Sequence, residues 1–259
     1  MSVIRTDKWL LDLYDKPVEL CEKLTAHFDG VYAEEIYNHL IFHGMYRYPS
    51  KNGTELIQKL QDNKIWELIE KEEQQLRKLW GGPDIPVFIF PSDPNNRKLK
   101  QDHNGKSGLA FNNKLFLFIS PDNADKEIRA LFSHEYNHVC RLSRYSKKEE
   151  DYVLLDTIIL EGLAENAVFE RFGEKYVASW TTYYSEKRLE EWWKKLILPN
   201  KDTLKIDRKH QDILYGFRRY PSMIGYCIGY YLVTKYVKKN RLTTKELLKI
   251  NSDIIAQVE

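Results

Sequence analysis

With 259 residues and 42% hydrophobic content, the chain can bury a substantial core without disulfide or metal staples, as one large domain or two modest ones. A formal net charge of +2, from 40 basic against 38 acidic residues, gives no overall field that would draw it to nucleic acid or to an anionic membrane. Cys21, Cys140 and Cys227 are odd in number and lack CxxC spacing, which argues against a disulfide framework or zinc ribbon and fits buried thiols in a reducing compartment.

The opening "MSVIRTDKWLLDLYDKP" has neither a continuous apolar stretch nor a small-residue cleavage site, so it does not read as a secretory signal. The longest apolar run, Ile224 to Val237, is too short to span a bilayer and contains Lys235. A cytoplasmic protein without nucleic-acid or membrane partners is expected, and the basic residues between Lys194 and Arg241 read as solvated surface.

In chain order, three segments carry apolar residues at helical spacing: Glu19 to Phe28, Glu34 to Phe42 and Lys64 to Trp80, the last stopped by Gly81, Gly82 and Pro83. "DIPVFIFP" predicts a strand over Ile85 to Phe90, and a polar loop follows from Ser92 to Lys106. "SGLAFNNKLFLFIS" predicts a hairpin, because Asn112 and Asn113 tolerate the positive backbone angles of a tight turn. Pro121, Asp122 and Asn123 carry helix-start chemistry before a helix over Asp125 to Arg144. A second helix runs near Leu154 to Phe172 and ends at Gly173; further helices follow, the last opening at a Thr243-x-x-Glu246 capping box. In "HLIFH", His39 and His43 have the four-residue spacing of a metal pair but no glutamate between them, and read as packing or helix-terminus residues with Gly44 as the stop.

The chemistry concentrates in "SHEYNHVCRL", Ser133 to Leu142. Residues four apart lie side by side on a helix, so His134 and His138 can grip one ion, while Glu135 flanks them where a general base would act on metal-activated water. This is HExxH, a zinc metalloprotease signature. Ile128, Leu131, Glu135, His138 and Leu142 repeat at threes and fours, placing the motif on or beside its helix's core-facing stripe, where polar groups are costly unless satisfied. In "LLDTIILEGLAENAVFERF" the stripe Leu154, Ile158, Glu161, Glu165, Val168 and Phe172 sets two carboxylates where leucines would be expected. Glu161 can complete a three-ligand zinc site with one open position, and Glu165, one turn on, can accept the outer N–H of a ligand histidine. Two imidazoles and a carboxylate suit Zn2+.

"HEYNH" followed by "EGLAE" resembles the gluzincin superfamily, in which HExxH is completed by the first Glu of an E-G-x-x-[DE] helix. With the "HLIFHGMY" and "GYCIGYYLV" segments, the chain resembles more closely the YjaZ-like family of predicted zinc-dependent proteases of bacilli and their relatives. The resemblance implies His134, His138 and Glu161 as zinc ligands, Glu135 as general base and Glu165 behind the ligands. It also implies that the strand with Gly108, Leu109 and Ala110 is a sheet edge that a peptide substrate extends. The implied fold is α+β and zincin-like, predominantly helical, with a small mixed sheet whose edge strand lies next to the HExxH helix. Residues 1–82 are read as an N-terminal helical region, 83–173 as the catalytic core, and 174–259 as a C-terminal helical region completing the cleft. A donor for the developing oxyanion is expected downstream from Tyr226, Tyr230, His210 or Arg219, with Tyr226 favoured. The "G-x-M-E-N" strand of aminopeptidases has no counterpart in "SGLAFNN". The expected function is zinc-dependent endopeptidase or oligopeptidase action on peptides or unfolded protein; the alternative is a peptidase-like zinc protein with a regulatory or binding role. The oligomeric state is not legible.

Overall fold

The computed structural model describes residues 2–145 and 147–258. The protein is predominantly helical with one three-stranded mixed sheet, an α+β architecture, and divides into two compact units, Met1–Val139 and Cys140–Glu259.

The first unit begins with α1 (Thr6–Leu13), α2 (Pro17–Glu22), α3 (Ala33–Phe42), α4 (Gly53–Asp62) and α5 (Ile65–Trp80). Thr6 pins α1 to its neighbours: its hydroxyl donates to the Ile89 carbonyl and accepts from Trp66 Nε1 at 3.0 Å. The helix expected over Glu19 to Phe28 is broken. Pro17 starts α2 early, and the Thr25 hydroxyl takes the Glu22 carbonyl at 2.8 Å, leaving only a 3-10 turn at Thr25–His27. As expected, α3 stops at Gly44 (φ 122°), and α5 ends at Gly81 in the left-handed region.

Next come β1 (Val87–Pro91), α6 (Arg97–His103), β2 (Ser107–Ala110) and β3 (Leu115–Ile119). Helix α6 occupies the stretch expected to be a polar loop. Asn96 caps it, accepting from Leu99 N at 3.0 Å, and Leu99 is its only buried residue, too sparse an anchor for periodicity to reveal. Sheet order is β1-β3-β2, with β1 parallel and β2 antiparallel to β3. The expected hairpin is present and closes with Phe111 N donating to the Lys114 carbonyl at 2.9 Å. Neither Asn112 nor Asn113 has positive φ, so the turn is not the primed type that an Asn pair favours.

The two sheet faces differ. Phe116 meets Phe28, Phe88 and Phe111 in an aromatic cluster on one face. Leu117 points to the other, and its register partner is Gly108. The C-terminal end of α3 is tied to the start of β2, since the Ser107 hydroxyl donates to the His43 carbonyl at 2.7 Å. Here the His39 and His43 rings lie 4.7 Å apart, and burial, then the neighbouring His39, pushes the His43 imidazole down from 6.5 to about 4. Between those values the unfolded chain binds the proton that the folded one refuses, so this contribution is present above pH 6.5 and is lost as pH falls towards 4. In urea titrations at pH 7 and pH 5, His43→Gln is expected to lose less stability on acidification than wild type; equal losses would contradict this.

Helix α7 (Asp125–Arg144) carries the chain from the first unit into the second. Its first turn is closed by Glu127, which accepts from Ala124 N at 3.0 Å. Asn123, an expected start residue, instead accepts from Ser120 N and donates to the Asn104 carbonyl, bracing the turn. Arg129 pairs with Glu72 at 2.6 Å, and the Tyr136 hydroxyl donates to the Pro83 carbonyl at 2.8 Å, fixing α7 against α5 and the segment after it.

The second unit contains α8 (Leu154–Phe172), α9 (Glu186–Trp192), α10 (Arg208–Tyr215), α11 (Ile224–Asn240), α12 (Thr244–Leu247) and α13 (Ser252–Ala256). Its core is α8 against α11, brought together by glycines. A Cβ on Gly162 would lie 2.3 Å from the Gly229 carbonyl oxygen, and one on Gly229 only 1.8 Å from that of Ile158. The Thr243–Glu246 capping box is present, but α12 is four residues long and not the last helix. Buried Arg141 explains the stop: its guanidinium donates to the carbonyls of Leu248 at 3.0 Å and Ile250 at 2.7 Å, which a continuing helix would need for itself. Among the described residues no helix is long and apolar enough to cross a membrane.

Candidate metal centre

Both motif helices are more deeply packed than amphipathic stripes suggest, since residues 135–141 of α7 and 162–168 of α8 are all buried. Polar groups there must meet partners or a ligand. On α7 the four-residue spacing brings His134 and His138 together: their rings are edge to face with centroids 4.7 Å apart, and their Nε2 atoms are 3.1 Å apart. Two imidazole nitrogens this close together suit a shared cation. Ligand atoms of His134, His138 and Glu161 all lie within 4.8 Å of one another. Zinc–nitrogen and zinc–oxygen bonds of about 2.0–2.2 Å set the ligand atoms of one tetrahedral ion about 3.5 Å apart, and two imidazoles with a carboxylate already gathered this closely are a donor set that suits zinc.

Glu135 projects from α7 onto β2. A Cβ built on Gly108 would sit 2.3 Å from Glu135 Cγ and 2.6 Å from its Oε1, so the carboxylate lies flat on the strand where only glycine leaves room. That strand is at the sheet edge, and among the described residues no strand pairs with its outer side. The expected adjacency of edge strand and HExxH helix is therefore present.

Glu165, one turn after Glu161, is buried and accepts from the backbone N–H of Ala178. This bond anchors the chain after α8. Tyr226 stands on α11 with its ring 5.4 Å from Trp180 and 5.6 Å from Tyr215. Tyr215, the last residue of α10, escaped the sequence reading. Burial raises its phenol pKa, a hydrogen bond with Tyr226 opposes that, and the Glu161 charge raises it further. Nothing in the spacing of α10 signals this, because the pairing arises from the packing of α10 on α11.

The other oxyanion candidates are disposed differently. His210 is fully buried and its Nε2 meets the Thr157 hydroxyl at 3.0 Å, so it belongs to the core and cannot meet a substrate. Arg219 lies over Tyr220. Tyr230 sits beside Trp180, its phenol pushed up to about 12 by burial and the charges of Glu165 and Glu174.

Residues 65–257, which include both motif helices, match the family described as "Predicted Zn-dependent protease (DUF2268)". A relative from Bacillus subtilis (strain 168), named "Uncharacterized protein YjaZ", is 39% identical over 256 residues, spanning 98% of this chain and 97% of that protein. The chain belongs to this family. The resemblance to the YjaZ-like family of predicted zinc-dependent proteases is thereby borne out. A second protein of the same organism, "Uncharacterized protein YjfC", is 22% identical over 224 residues, 80% of this chain and 74% of that one. No solved structure matches the chain. The family description names zinc, which agrees with the His134, His138 and Glu161 donor set.

Proposed function

We propose that this protein is a zinc-dependent peptidase of zincin-like fold that cleaves within peptides or unfolded protein segments. The observation that carries the reading is the convergence of three ligand atoms within 4.8 Å while the Glu135 carboxylate lies against an open sheet edge. In this reading His134, His138 and Glu161 hold the ion, and Glu165 braces the α8 side of the site through its bond to Ala178. A zinc ion held there supplies Lewis-acid activation of water and of the scissile carbonyl.

The remaining work falls to the chain. Gly108, Leu109 and Ala110 receive the substrate as an added strand, whose backbone hydrogen bonds align it without regard to side chain. Glu135, buried and fixed on Gly108, takes the proton of the attacking water and returns it to the leaving amine. The Tyr215–Tyr226 pair donates to the negative charge that develops on the carbonyl oxygen, with Tyr226 as the residue first expected there. Three free cysteines, all buried, accord with a cytoplasmic setting.

Hydrolysis of an unfolded, fluorophore-labelled protein tests this. Cleavage is expected with zinc-loaded protein, to vanish on chelation and to return when zinc is restored. Chelator-insensitive cleavage would contradict it, and zinc binding without cleavage of any unfolded substrate would favour a regulatory role.

A further inference from the structure

On the sheet face opposite Glu135, beside the aromatic cluster, lies a cavity of about 220 Å³ lined by Ala26, His27, Phe28, Asp29, Asn113 and Lys114. Residues at a hairpin tip usually point to water, yet Lys114 is only 7% exposed. Its ammonium rests over the rings of Phe28 and Phe111, 4.4 Å from each centroid, and donates to Asn113 Oδ1 at 3.1 Å. No carboxylate of a described residue forms an ion pair with it. Burial pulls its pKa down, and the attraction of Asp29 opposes that.

The lining thus offers a buried ammonium and, from Asp29, a carboxylate that feel each other without touching. A buried cation left without an anion is costly, and its two cation–π contacts offset only part of that cost. A plain anion would be repelled by Asp29 and a plain cation by Lys114. A molecule carrying both charges close together satisfies both walls. The volume is below the roughly 300–1,000 Å³ of drug-sized sites, which limits the occupant to something very small.

We propose that this cavity binds a free α-amino acid as its zwitterion, with the carboxylate on Lys114 and the ammonium on Asp29. The site is separate from the candidate metal centre, because Phe116, which packs against Phe28 and Phe111, and Leu117, the partner of Gly108, point to opposite faces of the sheet.

Calorimetric titration of the full chain with glycine and L-alanine tests the assignment, with acetate and methylammonium as single-charge probes; the measurement requires neither zinc nor cleavage. Saturable binding of an amino acid is expected, weakened at least 10-fold by Asp29→Asn and by Lys114→Met, with no comparable binding of either single-charge probe. Asp29 is exposed, so Asp29→Asn leaves folding intact and decides the matter even if Lys114→Met fails to fold. Absence of amino-acid binding, binding unchanged in Asp29→Asn, or acetate binding as well as the amino acids would overturn the proposal.

Discussion

Gly229→Val is expected to destabilise the second unit by at least about 3 kcal/mol, the range of severe overpacking. Even the first carbon of the new side chain would lie 1.8 Å from the Ile158 carbonyl oxygen and 2.7 Å from its carbon. Backbone cannot rotate aside as a side chain does, so α8 and α11 must separate. That would open the packing of Ile158, Ile228 and Leu232, all of them in one buried cluster. Gly162, which faces Gly229 from the other helix, is expected to respond in the same direction. Denaturant unfolding followed by circular dichroism measures the effect, with exposed Lys238→Ala on the same helix as the control. A Gly229→Val protein as stable as the control would mean that the helices are not in this close contact.

The second large effect concerns Glu135. Glu135→Gln keeps the shape of the side chain but cannot accept a proton, and turnover is expected to fall by roughly 10²–10⁴-fold with zinc content unchanged. Gly108→Ala reaches the same group from the other side. Its Cβ would occupy space within 2.6 Å of three Glu135 side-chain atoms, so the carboxylate must move, and a displacement of that size costs on the order of 100-fold. The informative pattern is the pair: both variants metal-replete and folded, both slow. If Gly108→Ala retained full turnover while Glu135→Gln lost it, the base would not be held by the edge strand. If Glu135→Gln cleaved like wild type, Glu135 would not be the base.

Much of this was legible in the sequence because it rests on local spacing. HExxH and the Glu161/Glu165 stripe each lie on one helix, where periodicity determines which residues share a face, and the Gly81 and Gly44 stops are written in single residues. What escaped depends on partners distant in the chain. The segment around Leu99 has one apolar anchor, so no period marked α6. The break after Glu22 is made by a threonine hydroxyl and an early proline inside an otherwise helical pattern. Gly108 read as part of a strand, but its closeness to Glu135 is set by the sheet register and α7 together. Likewise Tyr215 meets Tyr226 only because α10 packs on α11, and His210, an open candidate in the sequence, is sealed against Thr157. Lys114 read as a turn residue, although the turn folds it inward onto two aromatic rings.

The proposed function rests on one zinc ion held by His134, His138 and Glu161, whose ligand atoms lie within 4.8 Å of one another. Elemental mass spectrometry of purified wild type, His138→Ala and Glu161→Ala tests it most directly. Close to one zinc per wild-type chain is expected, with loss of zinc in both variants, each still folded by circular dichroism. Zinc at wild-type level in Glu161→Ala, or no zinc bound by wild type even after incubation with the metal, would contradict it.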